Sequence, residues 1–271
     1  MDPVNGREER WSSEARFFDG QAARVAEVKP MDATTLERYA SARHVWFNKE
    51  FRFRLVGDLR GKRVLDVGCG NGDNAILLAS RGANVVAIDL SPESVALAAR
   101  RAEASGFHSR IRFVCSPLET AELESRGFDV IWGDGILHHV IPELDQLLAR
   151  LRGFAKPGAL YVFSEPVSYS PTLRRLRSHV PIRTDATPGE RPLEPAELEL
   201  IRRHLPGFRV RHFGLVARFN RLVLPSNDLE HAGRIQKAIV HLNCCVDQAL
   251  LAIPGLERVA NTAVIYGHIA A

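Results

Sequence analysis

Four carboxylates and two imidazoles stand where short apolar runs stop. Asp66 lies near the end of RVLDVG (63–68), Asp89 closes NVVAID (84–89), Asp134 follows FDVIWG (128–133) and Glu165 closes ALYVFSE (159–165). His138 and His139 come just after Asp134. An imidazole that titrates near neutrality and is oriented by a carboxylate can take a proton from a hydroxyl. His138 with Glu165 is therefore a candidate catalytic pair, and His139 a secondary candidate. Either histidine can instead cap the helix that follows or fill a buried hydrogen-bonding niche. Asp134, His138 and Glu165 also offer ligands to a divalent ion such as Mg²⁺, but nothing in their spacing requires a metal.

Between Asp66 and Asp89 lies GCGNGD (68–73), in which Gly68, Gly70 and Gly72 follow a strand and precede a helix starting at Asp73. Glycines there let the backbone turn sharply and approach a ligand. A dinucleotide turn carries a third glycine where this chain has Asp73, and its amides face a pyrophosphate. Asp66 and an Asp73 helix cap would repel a pyrophosphate and attract a cation. Asp89, 21 residues after Gly68, suits the two hydroxyls of a ribose. A nucleoside with a positive group and no phosphate meets these conditions, and S-adenosylmethionine (SAM) is such a molecule. Its sulfonium carries an activated methyl group, so the protein must mainly align an acceptor with it.

The segments that must hold these groups alternate in character. Apolar strands at 63–68, 84–89, 111–115, 128–133 and 159–165 are separated by helical patterns at 73–82, 91–106 and 142–154. Near-continuously apolar strands alternating with helices predict a parallel sheet covered on both faces. Residues 10–58 read as two helices broken at Pro30–Asp32. The segment 166–194 holds Pro166, Pro171, Pro181, Pro188 and Pro192 and reads as a loop or lid over the acceptor pocket. A helix at 196–205 and a strand at 208–219 follow, and 261–269 reads as the last strand. Residues 222–258 are helical in pattern and too long for a hairpin, so they form an insertion. Its apolar positions Ile239, Leu242, Val246, Leu250 and Leu251 suit a substrate cover, a homodimer face or packing on the sheet.

From about residue 61 to 165 the chain resembles class I SAM-dependent methyltransferases of the small-molecule type. VLDVGCGNG, VVAIDLS, FDVIWGDGILHHV and LRGFAKPGALYVFSEP match that family's ordered motifs. The elements and the resemblance together predict an α/β fold: a Rossmann-like, seven-stranded, mostly parallel sheet with helices on both faces. An N-terminal helical cap (1–58) precedes a SAM-binding domain (59–271) that carries the 222–258 insertion before an antiparallel last strand. The resemblance implies Asp66 near the SAM amino group, Gly68, Gly70 and Asn71 along its methionine portion, and Asp89 on the ribose. It places Leu90, Ser116, Pro117 and Leu118 around the adenine, with Gly133 and Asp134 closing the pocket. Ser116 stands where the family often has an Asp on the adenine amino group. Sugar O-methyltransferases of natural-product pathways are similar in placing a His pair and an acid at the positions of His138, His139 and Glu165. The acceptor expected is a hydroxyl of a natural product or sugar derivative, with a carbon or nitrogen acceptor as the alternative. A SAM-binding protein without methyl transfer is a third reading, and an NAD-dependent oxidoreductase is disfavoured by Asp73.

Composition narrows the partners. With 36 Lys and Arg against 32 Asp and Glu, the net charge is +4. The densest basic run, TLRRLRSHVPIR (172–183), holds no aromatic residue, so a nucleic-acid partner is not expected. No stretch reaches the roughly 20 apolar residues that span a bilayer, and MDPVNGREERW lacks a secretory h-region. Cys69, Cys115, Cys244 and Cys245 show no disulfide framework, which suggests the cytoplasm.

Overall fold

The computed structural model describes residues 3–123, 127–178, 190–205, 207–224 and 228–269. Pro181 and Pro188 of the proline-rich segment lie outside the described residues.

Seven strands form one sheet in the order β3-β2-β1-β4-β5-β7-β6. They are β1 Arg63–Val67, β2 Asn84–Asp89, β3 Ile111–Cys115, β4 Phe128–Asp134, β5 Ala155–Pro166, β6 Arg209–Phe213 and β7 Thr262–His268. β1 to β5 pair in parallel, and β7 runs antiparallel between β5 and β6. The predicted seven-stranded Rossmann-like sheet is what the chain forms.

Residue alternation along the strands divides the core. Leu65, Ile131, Tyr161 and Phe163 face one layer, with α6 (Leu144–Phe154) and α8 (Pro195–His204) packed on it. Val64, Val130, Trp132 and Val162 face the other, with α3 (Asn48–Val56) and α4 (Asp73–Ser80). Both faces being covered explains why the strands are apolar throughout instead of alternating with polar residues.

The N-terminal region forms three helices where two were expected: α1 (Pro3–Ala22), α2 (Ala33–Ser41) and α3. Asp32 caps α2 by accepting from the amides of Thr34 and Thr35. Ala42 then turns left-handed at φ 43°, and the buried Glu50 of α3 receives the His44 amide at 2.7 Å. That buried acceptor separates α2 from α3. The strand expected over 208–219 also stops early. Gly214 has φ 84° and leads the chain away, so residues 214–217 form a loop instead of a ladder.

The first crossover is built on glycine. Gly68 and Cys69 donate to the Ile88 carbonyl at 2.9 and 3.0 Å, and Gly72 starts α4 at φ 81°. α5 (Pro92–Ala104), capped by Ser91 as its sequence signals, passes directly behind that turn. A Cβ on Gly72 would lie 2.8 Å from the Cβ and 3.2 Å from the Cα of Ala98. We expect Gly72→Ala to destabilise the protein by roughly 2–4 kcal/mol, the left-handed strain adding to the clash. Its urea midpoint, compared with wild type, measures this.

Candidate functional site

Asp66 lies in β1, under 2% exposed, and both of its carboxylate oxygens lack a hydrogen-bond partner among the described residues. Burial, with the Asp134 carboxylate nearby, pushes its carboxyl up to about 8. A buried carboxylate without donors is costly unless a cation or donor group arrives. Asp134, at the end of β4, is differently placed. Burial opposes its ionisation, but the Arg52 guanidinium at 2.8 Å and the Lys49 ammonium outweigh it and hold the carboxyl below the usual range. Asn74 of α4 donates a further bond at 3.2 Å. Arg52 is itself buried against the Trp132 ring, 4.8 Å from its centroid.

Asp89 binds its own turn, accepting the Gly70 amide at 2.8 Å and the Ser91 amide at 2.9 Å. Burial nevertheless raises its carboxyl above the usual range. Gly68 and Gly70, both at positive φ, carry the backbone past this group without a side chain in the way. A Cβ on Gly68 would reach to 2.7 Å of Ile136, and one on Gly133 to 2.5 Å of the Phe163 ring. Packing thus holds Gly68 and Gly133 to glycine, whereas a Cβ on Gly70 would meet nothing within 4 Å, so the turn is open at that point. An unpartnered buried acid beside an acid-terminated strand and an open glycine turn fits the ammonium and ribose of SAM.

A cavity of about 1380 Å³ opens over this edge. Gly68, Gly70, Asp89, Leu90, Pro117, Leu118 and Asp134 line it, together with His138 and His139. Asp66 and Gly133 lie behind these residues, Gly133 pinned under Phe163. Ser116 and Asn71 are not among the lining residues: the Ser116 hydroxyl bonds the Pro117 carbonyl at 3.2 Å, and the Asn71 backbone carbonyl accepts from Arg101. Asp73 is corrected too: Gly72 is the cap, and the Asp73 carboxylate pairs with Arg101 at 2.5 Å on the outer side of the turn.

Glu165, fully buried at the end of β5, accepts the amides of Ile136, Leu137 and His138 at 3.0, 2.9 and 3.4 Å. Its Oε2 also meets His138 Nδ1 at 2.7 Å. On the other side of the ring, Nε2 meets Glu190 at 2.5 Å. Burial works against charge on His138, but Glu165 and Glu190 outweigh it and lift the ring to about 9. At neutral pH the imidazole is therefore a cation with both N–H groups used. Glu190 was not singled out by sequence reasoning, because an isolated acid in an irregular segment carries no periodic signal.

The candidate metal set of Asp134, His138 and Glu165 does not assemble, since Asp134 is held by Arg52 and Glu165 by backbone amides. His138, His139 and Glu190 do place ligand atoms within 4.8 Å of one another. Of these, His138 Nε2 and Glu190 stand 2.5 Å apart, within hydrogen-bond distance of each other.

Helix α1 closes one wall. Trp11 donates to Glu119 at 3.0 Å, Arg10 pairs with Glu119 and Glu143, and Phe18 meets the His139 ring edge-on at 5.7 Å. Ser91 donates to Asp19 at 2.6 Å, which fixes the other end of the helix. The insertion closes the opposite wall through α9 (Asn220–Val223) and α10 (Arg234–Leu251). α10 turns Val240, Cys244 and Asp247 inward, and Ile235, Ile239, Leu242 and Val246 are exposed. The expected apolar row thus faces away from the sheet. No described helix is long and apolar enough to cross a membrane, and the four cysteines are unpaired.

Residues 64–158 match the family described as "Methyltransferase domain". Among curated proteins, the chain is similar to a ubiquinone biosynthesis O-methyltransferase of Hahella chejuensis, 32% identical over 151 residues. The aligned part is 51% of this chain and 63% of that protein. A second, from Bordetella avium, is 30% identical over 49% of this chain and 61% of its own length. The chain thus spans less than two thirds of the curated relatives it matches. Among solved structures, geranyl diphosphate C-methyltransferase from Streptomyces coelicolor A3(2) superposes with TM-score 0.61 and 15% identity, covering 97% of this chain and 98% of that one. The cyclase SpnF superposes with TM-score 0.53 and 21% identity over 88% and 93%. These likenesses carry the fold.

Proposed function

We propose that this chain, which matches the family described as "Methyltransferase domain" over residues 64–158, transfers the methyl group of SAM to a hydroxyl of a small molecule. The observation that supports it most is Asp66, a buried carboxylate with no hydrogen-bond partner among the described residues, beside the glycine turn. An ammonium would neutralise it, Asp89 would take the ribose hydroxyls, and Leu90 with Leu118 would flank the adenine.

When bound, the cofactor supplies the activated methyl group, and the chain's own residues do the rest. Glu165 fixes the turn 136–138 and, through His138 Nδ1, the ring of His138. His138 holds the carboxylate of Glu190 at the cavity. We assign acceptance of the acceptor's proton to Glu190, which lines the cavity beside His138, with His138 and Glu165 as positioning residues. Phe18 and the α1 wall exclude water from this edge, which strengthens each charged contact.

A hydroxyl acceptor agrees with the O-methyltransferases this chain resembles in sequence, and a natural product or sugar derivative is our reading of its class. A neutral amine acceptor would not need Glu190, whereas a carbon acceptor would still have to lose a proton to a base. The open cysteines agree with a cytoplasmic setting. Isothermal titration with SAM and S-adenosylhomocysteine tests the cofactor. Micromolar binding of both is expected, lost at least 100-fold in Asp89→Ala, and no binding at millimolar ligand would overturn the proposal.

A further inference from the structure

The cavity is electrically uneven. Its acids, Asp89, Asp134, Glu14, Glu119 and Glu190, stand with the glycine turn, α1 and His138, whereas the wall from α2, residues 214–218 and α9 is basic and apolar. Most of the cavity's arginines are already engaged. Arg38 pairs with Glu50 and Glu230 at 2.7 and 2.9 Å, Arg174 with Glu194 at 2.6 Å, and Arg191 with Glu197 at 2.8 Å. Arg221 has a partner as well.

Arg218 differs. Its Nε is buried and meets no acceptor among the described residues, and its recorded contact is with the neighbouring Phe219 ring. A second cavity-lining donor, the indole N–H of Trp46, is also buried without an acceptor. Trp46 packs with Phe47, Ala217, Leu224, Leu229, Val240 and Cys244 in one apolar cluster, and Arg218 follows Ala217 in the chain and lines the same cavity. The loop carrying Arg218 is held from behind. The fully buried Asp247 of α10 accepts the amides of Gly214, Val216 and Ala217 at 3.0, 2.5 and 3.0 Å. The insertion thus holds the loop that carries Arg218, and no carboxylate among the described residues pairs with that guanidinium.

We propose that the acceptor is an amphipathic anion, a carboxylate on an apolar body, whose carboxylate is bound by Arg218 with the Trp46 indole N–H. A carboxylate has only acceptor atoms, which is what two unmatched donors require. An apolar body fills the surrounding cluster, and a charge-assisted bond in that setting is stronger than a neutral one. This substrate class rests on the reading of the cavity as the acceptor pocket of a methyltransferase.

Binding of a dansyl-labelled fatty acid and of its methyl ester to the full chain, with and without saturating S-adenosylhomocysteine, tests the proposal. The acid is expected to bind at least tenfold more tightly than the ester. Arg218→Gln should abolish that preference with a loss of about 10- to 100-fold for the acid, and Arg218→Lys should keep most of it. Trp46→Phe should weaken the acid severalfold and leave the ester unchanged. Equal binding of acid and ester, a preference that survives Arg218→Gln, or failure of both probes to bind would overturn it. If S-adenosylhomocysteine binds and the preference is absent, the anion site falls and the methyltransferase reading stands. If it does not bind and the Arg218-dependent preference is present, the reverse holds.

Discussion

Asp66→Asn should make the unliganded protein more stable at pH 8 while removing at least 100-fold of its affinity for SAM. The carboxyl of Asp66 sits at about 8 in the folded chain, against an ordinary value near 4. Between those values the folded state holds a proton that the unfolded state has lost, so its stability falls as pH rises from about 4 to about 8. The cost at pH 8 is on the order of a few kcal/mol, and an amide that needs no ionisation escapes it. For a chain of this size each kcal/mol moves Tm by roughly 2–4 °C, so thermal melts from pH 5 to 9 resolve the effect. The wild-type melting point should decline across that range, and the variant should be flatter. An ammonium arriving beside Asp66 favours its ionised form, so SAM binding below pH 8 should release a proton. Titrations in buffers of different ionisation enthalpy count it. A wild-type protein that releases no proton at pH 6.5 would mean that Asp66 does not receive the cation.

Glu165→Gln is expected to lower turnover by about 10²–10³-fold and to destabilise the fold by about 3–5 kcal/mol. Glu165 accepts three backbone amides and the His138 ring N–H. A glutamine has one carbonyl oxygen for these four donors and places an NH₂ against at least one of them. His138 then loses a carboxylate that holds its proton. In the wild type, burial lowers the His138 value, but the two carboxylates raise it to about 9. The stability this contributes is fully present below the ordinary histidine value of about 6.5 and is lost as pH rises through 9. The variant should lose most of that pH dependence, and a His138 resonance followed by NMR should titrate at lower pH. Because a folding defect could lower turnover by itself, the diagnostic readout is the shifted pH profile in molecules that remain folded. An unchanged profile would leave Glu165 only its role in fixing the 136–138 turn.

The contrast between Asp66 and Glu165 shows where the sequence was readable. Both are acids at strand ends, and periodicity placed both at the carboxyl edge of the sheet. The near-continuous apolar runs and the intervening helices were legible because they are local patterns. So were the glycine turn, whose positive φ values demand glycine, and the Ser91 cap. Which acid would be charged was not legible. Asp134 is held ionised by Arg52, which comes from a helix 82 residues earlier in the chain, while Asp66 receives no such partner.

The same distinction governs the remaining surprises. Glu190 meets His138 across 52 positions of sequence, so no local spacing announces the pair, yet it turns a neutral candidate base into a cation. The apolar row of α10 was visible as a helical stripe, but the sequence does not say which side of a helix finds a neighbour. Asp247, an acid in that helix, proved to be its buried anchor for the Arg218 loop. The sequence alone determined the sheet, its order of strands and helices along the chain, and the glycine turn after β1, since backbone sterics and hydrophobic periodicity act between near neighbours. Only the tertiary structure decided the protonation of His138, the isolation of Asp66 and the unmatched charge of Arg218, because desolvation and Coulomb interaction depend on what the fold brings within a few ångströms.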